Sequence, residues 1–350
     1  MLKRAFALSD QGAKDLAKGI IATACANLIQ IIPASLLLMV VMMLLEKAAG
    51  TQVNVGRNIP FFVGITLVLF GMIAIAQLVQ YNLTYTAAYK ESANRRIVLA
   101  EKLRKLPLSF FEKKNLADLT TTIMGDCTAL ERTFSNAIPQ LLGTILMFVI
   151  TSVGLAVLDW RLALCIIVPV PVASIVVVLA RKAQSKAELE NLEAKRCAYD
   201  AVQEYVDTIK ELKAYSKTNV YLDELDKKLE NVIRCSFRNE LAPGASTTAA
   251  QFILRFGLVA VLLIGGKLVI EGTLSIPMLI LFLLFAGRIY DPFTNCFMLL
   301  AEVFAALVSI GRMKQIDNTQ EQTGSDCYNN IGYDIEFKDV HFSYNEEPVL

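Results

Sequence analysis

The sequence predicts an all-α membrane protein: six long transmembrane helices with cytoplasmic helical extensions, followed by the first β-strand segment of an α/β domain. Three observations carry that expectation. Of the 350 residues, 55% are hydrophobic and mean hydropathy is +0.48, above the range of ordinary soluble domains. Six apolar stretches reach or approach the roughly 20 residues that cross about 30 Å of hydrocarbon. The chain closes on IEFKDVHFSYNEEPVL, in which apolar and polar residues alternate as on a strand.

Residues 1–19 form an N-terminal cytoplasmic or interfacial segment. Within it, Ser9 to Lys18 sets Leu16 and Ala17 among charges, as a short interfacial helix or a disordered tail would. The membrane domain spans 20–316. Its apolar runs are Ile20–Leu45, Ile59–Val79, Ile138–Leu158, Leu162–Ala180, Phe252–Ile270 and Ile276–Ile310. The first is too long for a signal-peptide core and follows a charged segment, so it is read as retained. Buried helices of a soluble protein fail as an explanation on number and length.

Basic residues orient the spans. The N-terminal segment, 81–135, 181–250 and the C-terminal tail hold 28 of the 34 lysines and arginines. Lys47, Arg57, Arg161 and Lys267 fall on the other side, while Arg255 and Arg288 sit inside apolar runs. The positive-inside rule places both termini in the cytoplasm, in a multi-pass protein of the cytoplasmic (inner) membrane. Outer connections are then short, Asp159-Trp160-Arg161 being the tightest, and inner ones are long.

Those inner segments are predicted as helical hairpins with arms of roughly 40–50 Å at about 1.5 Å per residue. In the second, Leu189, Leu192, Tyr199, Val202, Val206, Ile209 and Leu212 recur at three- and four-residue steps, with Lys and Glu opposite. Each hairpin turns at a tip: Asn115-Leu116-Ala117-Asp118 in the first, Ser216-Lys217-Thr218-Asn219 in the second. Pro243-Gly244 is expected to interrupt the helix before the fifth span.

A polar, turn-rich linker occupies 317–332, and 333–350 reads as the incomplete start of a further domain. There Ile335 and Phe337 alternate, as do Val340, Phe342 and Tyr344, but the phase slips at Asp339, which predicts a bulge or two successive strands. Seven scattered cysteines, no CxxC and one histidine argue against a metal site or disulfide framework. The net charge of +1 implies no nucleic-acid partner.

In this order and spacing, LPLSFFEKK before the first tip, DWRLAL at the outer turn, EYVDTIKELKAY before the second tip, RIYDPF in the sixth span and the terminal IEFKDVHFSYNEEPVL resemble an ATP-binding cassette half-transporter with the six-helix exporter-type (type IV) membrane domain. The resemblance covers essentially the whole chain. It implies ATP-driven movement of a hydrophobic or amphipathic substrate (lipid, drug, peptide or siderophore) by alternating access. It also implies a second half-transporter as homo- or heterodimer partner, the lipid bilayer as surroundings, and ATP with Mg2+ as cofactors of the full-length protein. Tyr344 matches the family's adenine-stacking aromatic. The two tips match the segments that couple ATP to transport. No GxxxxGK[ST] occurs; Gly265-Gly266-Lys267 is a false lead because Val261 and Leu268 break the pattern. These 350 residues alone are therefore expected to bind no nucleotide and to be inactive as an ATPase, with no catalytic residue or metal ligand among them. Ala117 stands where the family commonly has Gly. The stretch LRKLPLSFFEKKNLADLTTTIMGDC is closer to the siderophore-uptake subgroup, which leaves uptake as the alternative direction. A secondary transporter or membrane sensor, without an ATPase, is the reading from another class.

Arg288 and Asp291 lie midway along the sixth run, where ionisable residues face a bundle interior or a water-filled cavity. They are candidates either for lining the transport pathway or for an i, i+3 pair beside a bend at Pro292. Arg255, near a span end, is placed to snorkel. Pro169 and Pro171 predict a kink in the fourth span.

Overall fold

A computed structural model describes residues 10–48, 55–113, 116–215, 218–322, 339–341, 343–344 and 347–348. Helices dominate: α1 (Asp10–Ile29), α2 (Ile32–Ala48), α3 (Val55–Tyr81), α4 (Ala87–Arg104), α5 (Leu108–Lys113), α6 (Leu116–Thr121), α7 (Cys127–Arg132), α8 (Ile138–Leu158), α9 (Trp160–Ile167), α10 (Pro169–Ala214), α11 (Thr218–Ile270) and α12 (Ile276–Asn318). Among the described residues, six helical segments are long and apolar enough to cross a membrane, as the sequence predicts. The chain packs as two units: residues 1–23, 77–140 and 300–350 in one, 24–76 and 141–299 in the other.

The N-terminal helix is not a separate interfacial piece. It runs from Asp10 without interruption into the first apolar run, and the break comes later, at Gln30–Ile31. Pro33 explains the position: it has no N–H to give to Ile29 and its ring crowds that carbonyl. Asp159 caps α9, its carboxylate accepting from the Arg161 N–H at 2.8 Å and the Leu162 N–H at 3.4 Å. The α9–α10 break falls at Val168, just before Pro169, as the two prolines predict. Gly272 (φ 73°) supplies the left-handed residue of the turn into α12.

Pro243 does not interrupt α11, contrary to expectation; the helix continues through Pro243-Gly244. Local hydrogen bonds support the site. The Ser246 hydroxyl donates to the Pro243 carbonyl at 2.9 Å, and the Gln184 amide donates to Ser246 Oγ at 2.7 Å from α10. Continuity of α11 makes the second hairpin two unbroken rods of 46 and 53 residues.

The rods pack on a face other than the apolar stripe. Ala187, Asn191, Ala194, Ala198 and Ala201 are buried, and α10 packs on α11. Leu189 (66% exposed), Leu192 and Tyr199 (70%) point away, with Val202 and Val206 exposed beside them. Small side chains let two helix backbones approach closely, which an interdigitating Leu stripe would prevent.

Among the described residues of the other unit, three wide π-helical turns interrupt the helices, at Asn82–Thr86, Thr122–Asp126 and Thr133–Ala137. Hydroxyls satisfy nearby carbonyls: Thr84 Oγ1 donates to Gln80 at 2.9 Å and Thr133 Oγ1 to Ala129 at 2.9 Å. The 82–86 turn packs on the 133–137 turn, and α4 packs on α7. At the C-terminal end, Ser343–Tyr344 pairs antiparallel with Glu347–Pro348, Tyr344 opposite Glu347. Asp339, where the alternation slips, has φ 48°. Ile335, Phe337 and Phe342 lie outside the described residues.

Candidate functional site

The described residues of the first predicted tip are helical. Leu116, Ala117 and Asp118 open α6, and Asn115 lies outside the described residues. Asp is unfavourable in a helix interior. Near a helix start Asp is better tolerated, and Asp118 is the third residue of α6. Beside α6, a cavity of about 330 Å³ is lined by Phe110, Leu119, Thr121, Thr122, Arg312 and Gln315.

At the second tip α10 ends on Tyr215, and α11 begins at Thr218 with Asn219 exposed. Ser216 and Lys217 lie outside the described residues. The two arms are joined just behind the tip. The Tyr221 hydroxyl donates to the Ala201 carbonyl at 3.0 Å, and the Tyr221 ring stacks on Tyr205 with centroids 5.5 Å apart. Further along, Ser236 Oγ donates to Asn191 Oδ1 at 2.8 Å and Arg238 meets Glu190 at 3.1 Å. None of these brace residues was singled out in the sequence.

Arg288 and Asp291 share an exposed face of α12 with Asn295 and Met298. Among the described residues they form no ion pair with each other, so the i, i+3 pair is not made. Both stand within the candidate membrane span Ile276–Asn318. On the opposite side of the helix Tyr290 is buried, its hydroxyl donating to the Ile166 carbonyl at 3.2 Å, where the α9–α10 break interrupts the helical ladder. Gly257 makes that contact possible: a Cβ there would lie 2.1 Å from Tyr290 Oη and 2.9 Å from Pro169 Cγ. Phe293 packs edge-on against Phe148 at 5.1 Å, and Asn27 Nδ2 reaches Thr144 Oγ1 at 3.4 Å.

A charged cluster that periodicity did not single out surrounds Asp126. That residue is 4% exposed. Arg312 Nε donates to it at 2.7 Å and a second guanidinium nitrogen also reaches it, giving a two-pronged contact; Ser309 Oγ donates at 2.9 Å. Nearby, Arg95 pairs with Asp317 and Arg132 with Glu302 at 3.1 Å. Helix α12 therefore continues to Asn318, into the segment read as linker. The signal available was charge alone, with partners far apart in sequence. Tyr344 is placed only by its backbone pairing with Glu347. Among the described residues no cluster of three or more His, Cys, Asp or Glu could hold a metal.

A family model for the ABC transporter transmembrane region matches residues 16–293. The chain is 22% identical over 286 residues to ABC transporter B family member 1 of Dictyostelium discoideum, covering 81% of this chain and 31% of that protein. It is 22% identical over 266 residues to the ATP-dependent lipid A-core flippase of Desulfotalea psychrophila, covering 73% and 45%. With the Lactococcin-G-processing and transport ATP-binding protein of Lactococcus lactis it shares 25% over 250 residues, covering 70% and 35%. The chain thus spans less than half the length of each of these relatives.

Proposed function

We propose, from the premise that this chain belongs to the ABC transporter transmembrane family, that it is the membrane part of an ATP-driven half-transporter. It moves a hydrophobic or amphipathic substrate across the inner membrane by alternating access, with both termini cytoplasmic. The observation that carries this reading is the length of α10 and α11, 46 and 53 residues. At about 1.5 Å per residue they extend roughly 70 and 80 Å, more than twice the hydrocarbon thickness. Helices of that reach serve a transporter whose driving domain lies away from the membrane.

Four parts then take roles. The tips, Asn115–Asp118 and Ser216–Asn219, receive the motion of an ATPase domain. Tyr344 stacks on adenine when that domain is present with ATP and Mg2+. Arg288 and Asp291 line a hydrated pathway, because two unpaired charges midway along a span are costly against lipid. The exposed stripe from Leu189 to Val206 lies outside the apolar spans and covers roughly 26 Å at about 1.5 Å per residue; we assign it to contact with the second half-transporter. The relatives' names include a lipid A-core flippase and a lactococcin transporter, so lipid and peptide both remain within the substrate class.

The test uses the protein carrying its nucleotide-binding domain. Changes at either tip are expected to leave folding intact and uncouple ATP hydrolysis from transport in one reconstituted preparation. Retention of both activities with normal coupling would remove the tips from the mechanism. Tyr344→Ala is expected to weaken ATP binding by about 1–3 kcal/mol while Tyr344→Trp retains most of it; equal binding by both would refute the stacking role.

A further inference from the structure

The charged contacts along the end of α12 form an ordered series. Moving from Glu302 toward the C-terminus, α12 presents an acid at 302, a base at 312, an acid at 317 and, just past the helix, an acid at 321. The facing hairpin answers with Arg132, Asp126, Arg95 and Lys102 in turn. Each of the four pairs joins opposite charges. Over the helical part, from 302 to 317, it extends roughly 22 Å at about 1.5 Å per residue.

Two features make this more than scattered surface pairing. Asp126 is buried and held by both Arg312 and Ser309, so sliding α12 by one turn would strand a carboxylate away from water. The series also continues after the helix stops. Lys102 Nζ donates to Glu321 at 3.1 Å, Lys105 Nζ lies 3.9 Å from the same carboxylate, and the Gln322 N–H donates to the Lys105 carbonyl at 2.8 Å. That carbonyl follows the C-terminal end of α4, where backbone acceptors lack helical partners and where Lys102 and Arg104 lie. The strand of chain leaving α12 is thus tied to a second helix end by side chain and backbone together.

We propose that the segment 302–322 and the first hairpin form a single charge-registered clasp, so that whatever follows residue 322 is tethered at the end of α4, at Lys102 and Lys105, and not at the end of α12. The clasp fixes the departure point of the following chain and moves with the first hairpin. It depends on this chain's own pairs and holds whether or not the transported substrate is the one assigned above.

Spin labelling of position 320, which is exposed between the helix end and the tie, reads the clasp directly. The protein is placed in nanodiscs with its native cysteines replaced by alanine and Gln320→Cys labelled. An immobilised line shape is expected. Glu321→Lys sets a third cation against Lys102 and Lys105 and should shift the spectrum to the mobile component. Adding Lys102→Glu to Glu321→Lys restores an opposite-charge pair and should return the immobilised component. Raising salt to about 1 M, where screening acts within about 3 Å, should mobilise the label in the unswapped protein more than in a Glu321→Gln variant. A label that is mobile in the unswapped protein, or a double swap no more ordered than Glu321→Lys, overturns the proposal.

Discussion

The two hairpins solve the same problem by opposite means. Each must hold helices together outside the apolar spans. The first does so with polar interiors: Thr84, Ser92, Asp126, Thr133 and Ser135 are buried, and three π-helical turns widen the backbone around them. The second uses alanines, at 187, 194, 198 and 201, with polar bonds set at intervals along its length. A polar interior specifies register, because a shifted partner leaves a buried group unsatisfied. An alanine seam specifies closeness and leaves larger side chains free for other contacts. The first hairpin is therefore built to hold one alignment, and the second to be slender and carry an outward apolar stripe.

The largest effect that tests this contrast is at Arg312. Replacing it with Leu strands Asp126 with Ser309 as its remaining described hydrogen-bond donor, and is expected to cost about 3–5 kcal/mol. Asp126→Leu should cost less, about 1–3 kcal/mol, because the Arg312 side chain is 52% exposed and can be hydrated when released. Chemical denaturation in micelles gives both values. Equal small losses would mean that charge does not set the register of the first hairpin.

The seam of the second hairpin is next. Ala198, 3% exposed, has no room for added methylenes, so Ala198→Leu is expected to cost about 1–3 kcal/mol by overpacking. Leu192→Ser, on the outward stripe, should change the stability of the isolated chain by no more than about 0.5 kcal/mol. If the two rank the other way, the stripe and not the seam holds the rods together. Behind the tip, Tyr221→Phe removes the bond to the Ala201 carbonyl and should cost about 0.5–1.5 kcal/mol, measured the same way.

How far these features were legible follows from the range over which each is encoded. Spans were legible because crossing a bilayer demands an uninterrupted apolar run, which is local. The seam was also present in the sequence, as alanines at 187, 194, 198 and 201, but the larger Leu189–Val206 stripe has the same period and dominated the pattern. Periodicity shows that a helix has faces; it does not say which face meets the neighbour. Pro243 misled because propensity takes no account of Ser246 and Gln184 nearby. The pairs of Asp126 with Arg312 and of Arg95 with Asp317 join residues 186 and 222 positions apart. No local pattern encodes such partners, and the π-helical turns left only Thr and Ser as a trace.

The smallest expected effect lies at the end of the charge series, and its sign follows from linkage. The hydrogen bond from Lys102 holds the Glu321 carboxyl below its ordinary value, and the positive charges of Lys102 and Lys105 act in the same direction. A carboxylate with a depressed folded-state pKa contributes its stabilisation above the unfolded value and loses it as pH falls through the folded one. The tie should therefore be fully formed at neutral pH and weaken only in acid, below the usual carboxylate range. Salt should weaken it at neutral pH, since the pair is exposed. The buried Asp126–Arg312 contact is less open to screening, so the two ends of the series should separate under salt. A label at position 320 should gain mobility on acidification in the parent protein and not in Glu321→Gln, which has nothing to titrate there. If both respond to acid alike, mobility at 320 reports loosening elsewhere, and the ordered series ends at Asp317.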